Sequence, residues 1–209
     1  MPLAATVEPM LCETQGVRFA DPPRSACWHH EGLRLGFEVS YFATDSRSVR
    51  AEGTTTGLQD GDAWIVSYSL LLDESWCTRF ARVTSRSGSG LDERLLESNG
   101  FGHWSVDGTP TSLLDGCFDI DLEASAMTNA LPVHRLALAV GQRADTTAAY
   151  VRAPSLAVGR LEQTYSRVDD QNGVEQYDYE APAYAFACRL TYDESGLVLR
   201  YPGLARRSA

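Results

Sequence analysis

Lysine is absent from this 209-residue chain, so its 18 basic residues are all arginine. That removes Schiff-base catalysis by a lysine and the P-loop lysine that grips a nucleotide phosphate. Positive charge is scarce as well: 28 acids leave a formal net charge of -10. No basic stripe is available to track a phosphate backbone, which argues against nucleic acid as a partner. No apolar run approaches the roughly 20 residues of a membrane helix, so no transmembrane segment is expected. The opening stretch, MPLAATVEPMLCETQGVRFADPP, lacks the basic n-region and continuous apolar h-region of a secretory signal, and the expected location is the cytoplasm. The five cysteines, Cys12, Cys27, Cys77, Cys117 and Cys188, are odd in number and without C-x-x-C or zinc-site spacing. They read as buried reduced thiols, and neither a metal nor a cofactor is expected.

What is present suits a globular fold. Hydrophobic residues make up 44% and charged residues 22% of the chain, which argues against disorder. Lengths up to about 250 residues are routine for one all-β domain. An arm over 1–24, ending at the Asp21-Pro22-Pro23 break, followed by a single domain over 25–209, is the expected organisation.

Period-2 alternation supplies most of the structural signal. Leu33, Leu35, Phe37, Val39 and Tyr41 alternate with Arg34, Gly36, Glu38 and Ser40, which predicts a half-buried strand. Val49 to Thr56 and Trp64 to Leu72 flank a turn with an Asp60-Gly61 hairpin signature. Trp76 to Thr84 follows after a short turn, so a meander is predicted. Leu91 to Ser98 is undecided between helix and strand, and 101–106 reads as a short strand. Thr146 to Arg152, Leu156 to Val168, Val174 to Glu180, Tyr184 to Tyr192 and Leu197 to Tyr201 continue the pattern, which suggests an antiparallel all-β fold.

The stretch Asp115 to Leu136 concentrates the chemistry. Asp119 and Asp121 alternate with Phe118, Ile120 and Leu122, so both carboxylates share one face of a half-buried strand, roughly 7 Å apart. Thr128-Asn129, Pro132 and the adjacent His134-Arg135 follow. Met127 to Gly141 is the best helix candidate: Pro132 pushes Leu131 out of the α region, an apolar face then starts at Pro132, and Gly141 is placed to stop the helix. Alternation from His134 to Val140 supports equally a single helical turn running into a strand.

Trp76 with Thr78 and Arg79, Leu114-Asp115-Gly116-Cys117 with Asp119 and Asp121, Thr128-Asn129 with Leu131-Pro132-Val133-His134-Arg135-Leu136, Pro154, Gln163 with Tyr165, Gly196-Leu197-Val198 and Tyr201-Pro202-Gly203-Leu204 resemble the bacterial putative glycolipid-binding family, from about Trp28 to Arg207. The resemblance implies a mainly β fold in which a long antiparallel sheet forms a spiral β-roll or half-barrel wrapped around one short helix, related in shape to periplasmic lipoprotein carriers. It also implies a lipid or glycolipid-like ligand. The chain departs from the family where Ser125-Ala126-Met127 replaces the Thr-Pro-Phe that usually precedes Thr-Asn.

The candidate ligand-binding residues are Trp76, Arg79, Trp104, Asp119, Asp121, Asn129, His134, Arg135 and Tyr201. Each has a bland alternative. Asp119 and Asp121 can split their pKa values as an acid–base pair, or simply meet water or pair with Arg135 or Arg79. Arg135 can grip an anionic headgroup or tie the helix to the Asp119 strand. Asn129 can orient a sugar hydroxyl or cap a helix. Trp64, Trp76, Trp104 and Tyr201 can line a cavity or fill the core. The structural role is preferred in each case. The leading expectation is a non-catalytic binding protein with an apolar groove inside a curved sheet. The alternatives are an enzyme that uses Asp119, Asp121, His134 and Arg135, and a module in which these groups only lock the fold. Sequence does not fix the oligomeric state.

Overall fold

The strongest alternation becomes the core wall. In a computed structural model that describes residues 19–208, Trp64, Val66, Tyr68, Leu70 and Leu72 are all buried along one face of the strand Asp62–Asp73. Fully burying such a side chain stabilises a fold by roughly 1.5–3 kcal/mol, so this one strand commits the sheet to an inside and an outside.

The N-terminal half is a meander of eight strands: β1 (Ser25–His30), β2 (Leu35–Thr44), β3 (Ser48–Gln59), β4 (Asp62–Asp73), β5 (Thr78–Ser87), β6 (Gly90–Ser98), β7 (Trp104–Val106) and β8 (Thr109–Pro110). A crossing segment holds β9 (Asp119–Leu122), a 3-10 turn over Met127–Asn129 and the helix α1 (Ala130–Leu136). A second meander follows: β10 (Arg143–Val151), β11 (Val158–Gln171), β12 (Val174–Ala181), β13 (Phe186–Tyr192), β14 (Val198–Tyr201) and β15 (Ala205–Arg207). All 15 strands form one sheet in the order β8-β7-β6-β5-β4-β3-β2-β1-β15-β14-β13-β12-β11-β10-β9. The two meanders therefore run outward from a central seam in which β1 pairs antiparallel with β15. Every pairing is antiparallel except β9 with β10, which is parallel.

The outer limbs of the sheet curl towards each other without closing. Where β5 begins, the Thr78 backbone N–H donates to Phe118 O at 2.9 Å, and the Ile120 N–H donates to Thr78 Oγ1 at 3.0 Å. These bonds join the limbs in place of a paired ladder. Inside the curl lies α1, with Ala130, Leu131 and Val133 fully buried in a core built from both meanders. Trp28 locks the seam, its indole N–H donating to Val198 O at 2.7 Å. The mainly β, rolled, helix-centred architecture is thus the expected one.

Several local expectations differ from the structure. Leu131 stays helical, because Pro132 falls within the first turn, where the missing N–H has no intrahelical partner to lose. Ala137 ends the helix in the left-handed region at φ 44, its N–H donating to Val133 O at 3.1 Å, four residues before Gly141. Leu91–Ser98 belongs to strand β6. Trp76 sits at φ 63 in the turn before β5 rather than inside a strand. Strand β9 is covered on both faces, not half-buried.

The largest difference is in β2. Its apolar series points outward, with Leu35 70% and Tyr41 62% exposed, as is Leu33 at 67% in the loop before it. Its polar series points inward: Glu38 and Ser40 are 0% exposed. Glu38 explains the inversion, because its carboxylate accepts bonds from the Ser125 hydroxyl, from Ala126 N–H at 2.7 Å and from Tyr68 O–H at 2.8 Å. Burial pushes its pKa up, while these donors pull it back. The strand thereby anchors the segment leading into α1, a task that an apolar inner face cannot perform.

Cys27, Cys77, Cys117 and Cys188 are free thiols; Cys12 lies outside the described residues. Most of the expected arm also lies outside them, but Phe19 packs against His134, and Ala20 N–H donates to Glu194 O at 2.9 Å.

Candidate functional site

At one end of the roll, the interior opens as a cleft of about 290 Å³. Its mouth lies between the β1–β2 loop, which carries Leu33 and Arg34, the end of β3 at Gln59, and the β12–β13 turn at Tyr184. The walls are aromatic: Tyr150, Tyr179, Tyr184, Phe186 and Tyr201 line it. Tyr201 stands edge-on to Tyr179 and to Phe186, each at 5.9 Å between centroids. Tyr150 and Tyr184 form a second pair at 5.8 Å. Edge-to-face packing fixes such rings in place while exposing apolar faces to a ligand.

The Tyr-Pro-Gly-Leu stretch is the β14–β15 turn, and it delivers Tyr201 and Leu204 to the cleft. Gly32 lets the β1–β2 loop pack on that turn. At φ +78 it leaves only 2.6 Å between an added Cβ and Gly203 O, and the neighbouring Glu31 N–H donates to Leu204 O at 2.9 Å. Only glycine accepts both the dihedral and the approach. The loop then turns Arg34 inward.

The floor of the cleft is polar and largely self-satisfied. Asp121 accepts from the Thr128 hydroxyl at 3.2 Å and from the Gln163 amide at 2.6 Å. Burial pushes its pKa up to about 6 against those two donors, with Glu123 and Asp119 adding to the rise through space. The Gln163 amide also donates to Tyr179 Oη at 2.9 Å. Asn129 Oδ1 accepts from Tyr165 O–H at 3.1 Å. Ser125 and Ala126, in the stretch where the chain departs from the family pattern, contribute small side chains to the lining.

Of the residues singled out from sequence, Asp121, Asn129 and Tyr201 meet at this cleft. The others do not line it. Asp119 lies under the guanidinium of Arg135, which grips both carboxylate oxygens (2.6 Å for Nη2–Oδ2) and also donates to Thr146 at 2.7 Å. Burial alone drives the Asp119 pKa up, and the two-pronged contact with Arg135 opposes that rise. Burial also opposes the charge on Arg135, but its bonds to Asp119 outweigh burial and raise its pKa. His134 stacks flat on Trp76, 3.4 Å between centroids and 9° between planes, in a separate surface hollow that Phe19 shares. Burial lowers the His134 pKa to about 4, and its Nε2 sits 2.9 Å from Ser195 O. Trp104 is core, its indole N–H donating to Cys117 O at 2.8 Å. Arg79 lies at the surface 3.6 Å from Asp73. The four ionisable groups of the enzymatic alternative are thus divided among an ion pair, the cleft floor and the Trp76 stack.

Sequence reasoning missed Arg34, Tyr150, Tyr179, Tyr184 and Phe186. Arg34 was visible as the one cation in the polar series of the alternating stretch from Leu33 to Tyr41, but apolar periodicity assigned that series to solvent. The tyrosines fall in ordinary strand alternation, with no signal that separates a lining ring from a core ring. Among the described residues, no cluster of His, Cys, Asp or Glu is arranged to hold a metal ion.

The structure is thus an open, rolled β-sheet with an aromatic cleft at its mouth and a buried helix beside it. Residues 25–207 match the family described as "Putative glycolipid-binding", and the chain belongs to that family. That description supports a binding role. A crystal structure of a DUF1089 family protein from Pseudomonas aeruginosa is similar to the chain, with 34% sequence identity and a TM-score of 0.71 over 82% of this chain and 92% of the other. No curated protein matches the chain. No described helix is long and apolar enough to cross a membrane.

Proposed function

We propose that the protein binds a lipid or glycolipid-like amphiphile non-catalytically, with the apolar part lying in the cleft against Tyr179, Phe186 and Tyr201. The observation that carries this reading is an apolar, aromatic hollow left open in a roll whose interior is otherwise filled by α1 and the core. Rings held by one another lose little entropy when a chain settles on them, so the site is preorganised for apolar contact. The family description points to the same ligand class. The non-catalytic part is supported by the engagement of the ionisable groups. Asp119 is tied to Arg135, Asp121 to Thr128 and Gln163, and His134 is sealed between Trp76 and Phe19.

Native mass spectrometry on protein purified without detergent is expected to show a copurifying amphiphile. Ala181, 3% exposed and in the lining, offers the control. Ala181→Trp is expected to fill the cleft and lower amphiphile affinity by about tenfold or more, equivalent to roughly 1.4 kcal/mol, with the fold retained by circular dichroism. Unchanged binding in that variant would remove the cleft from consideration.

A further inference from the structure

Arg34 differs from the other buried and half-buried arginines. Arg135 meets Asp119 at 2.6 Å, Arg167 meets Glu175 at 2.8 Å as well as Asp170, and Arg207 meets Asp193 at 3.1 Å. Arg34, only 8% exposed, has no carboxylate at salt-bridge distance among the described residues. One Nη2 proton goes to the backbone oxygen of Glu123 at 2.8 Å, and the guanidinium lies 5.4 Å from the centre of the Trp64 ring. Its Nε is buried without a hydrogen-bond partner among the described residues. The Glu123 and Glu38 carboxylates act on it only through space, both favouring its charge. A guanidinium does not shed its proton in a protein, so the charge persists in a place where burial penalises it.

Arg34 is also the one cation in the lining of the cleft. Asp121 accepts on both oxygens, and one Glu123 oxygen, Oε2, accepts from Ala153 N–H at 3.0 Å. The Asn129 amide nitrogen makes no hydrogen bond among the described residues and lines the same cleft. The site therefore offers donors beside an apolar wall, among them a guanidinium with no carboxylate in contact among the described residues, although Glu123 and Glu38 act on it through space. Its volume, about 290 Å³, is at the low end of the roughly 300–1,000 Å³ of small-molecule pockets, which suits one chain and not a two-chain lipid.

Resting on the reading of the cleft as an amphiphile site, we infer that its ligand is acidic: a single-chain amphiphile whose terminal oxyanion, a carboxylate or a phosphate monoester, docks on the Arg34 guanidinium. The planar fork matches such a group in two-point contact, and the anion places in contact a counter-charge that the chain's own carboxylates supply only through space.

Calorimetric titration of delipidated protein with decanoate, decyl phosphate and uncharged decyl glucoside, and with acetate and inorganic phosphate as chain-free anions, tests this. One or both acidic decyl compounds are expected to bind at least about tenfold more tightly than the glucoside. The stronger of the two identifies the headgroup. Arg34→Gln is expected to erase the preference, lowering affinity for the acidic decyl compounds by at least about tenfold more than any change in glucoside affinity. Equal affinity for charged and uncharged chains in the wild type overturns the inference and leaves the amphiphile reading standing. Acetate or phosphate binding as tightly as the decyl compounds overturns it in favour of a free-anion site. Failure of all three chains to bind overturns the amphiphile reading itself. The wild-type comparison decides even if the variant does not fold.

Discussion

Asp119 and Arg135 show how a charged pair can serve the fold alone. Asp119 is buried and Arg135 half-buried, the contact is two-pronged, and Thr146 takes a further guanidinium proton. Removing one member leaves the other charge stranded, which costs about 3–5 kcal/mol in such sites. Arg135→Met is expected to lose about that much in urea denaturation, and the double variant Asp119→Leu, Arg135→Met to recover most of it. A single variant at wild-type stability would contradict the assignment. Titration separates two further residues. Asp121 has its pKa pushed from 3.8 up to about 6, so the folded chain holds this proton more tightly than the unfolded chain and stability falls as pH rises between those values. His134 is lowered from 6.5 to about 4, so its contribution is complete above 6.5 and is lost as pH falls towards 4. Each group changes the slope of stability against pH by up to about 1.4 kcal/mol per pH unit, with opposite sign. Relative to wild type, Asp121→Asn is expected to make stability rise more steeply between about pH 4 and 6. His134→Gln is expected to flatten the rise between about pH 4 and 6.5. Denaturation midpoints across that range supply the measurement, and curves parallel to wild type would contradict both shifts.

At the scale of elements, curvature is set by glycine opposite aromatic rings. On β3, Gly53 pairs with Tyr68 and Gly57 with Trp64 of β4. A Cβ added to either glycine would lie 2.3 or 2.2 Å from the facing ring. The rings lie over bare backbone, which lets the strands bend inward while the interior stays filled. Gly57→Val is expected to force Trp64 out of place and destabilise the fold by about 1–3 kcal/mol, the usual cost of overpacking, with a blue-shifted tryptophan emission giving way to a redder one. An unchanged melting temperature would show that the bend does not depend on this contact. These glycines also mark where the sequence misleads. Alternation located β2 but assigned its faces the wrong way round, because Glu38 is stabilised by donors from the Ser125–Ala126 segment, 87 and 88 residues away. A local pattern carries no record of so distant a partner.

At the scale of the whole molecule, the strand succession and the buried helix were legible, since β3 and β4 obey period-2 patterning and the Thr-Asn-x-Leu-Pro stretch carries a family signature. The seam between β1 and β15 and the parallel entry of β9 beside β10 were not, because short strands paired across the length of the chain leave little local trace. The site was legible in part for the same reason. Asp121, Asn129 and Tyr201 sit in distinctive motifs, whereas the remaining lining residues become a wall only when the second meander rolls against the β1–β2 loop. The most direct test of the central claim is a titration of isotope-labelled protein with decanoate or decyl glucoside below micelle-forming concentration, followed by amide chemical shifts. Saturable shifts confined to the cleft, at Tyr150, Ala181, Tyr201 and Leu204, are expected; shifts on the outer face at Leu35, Leu58 and Ile65, or none at all, would contradict a ligand-holding roll.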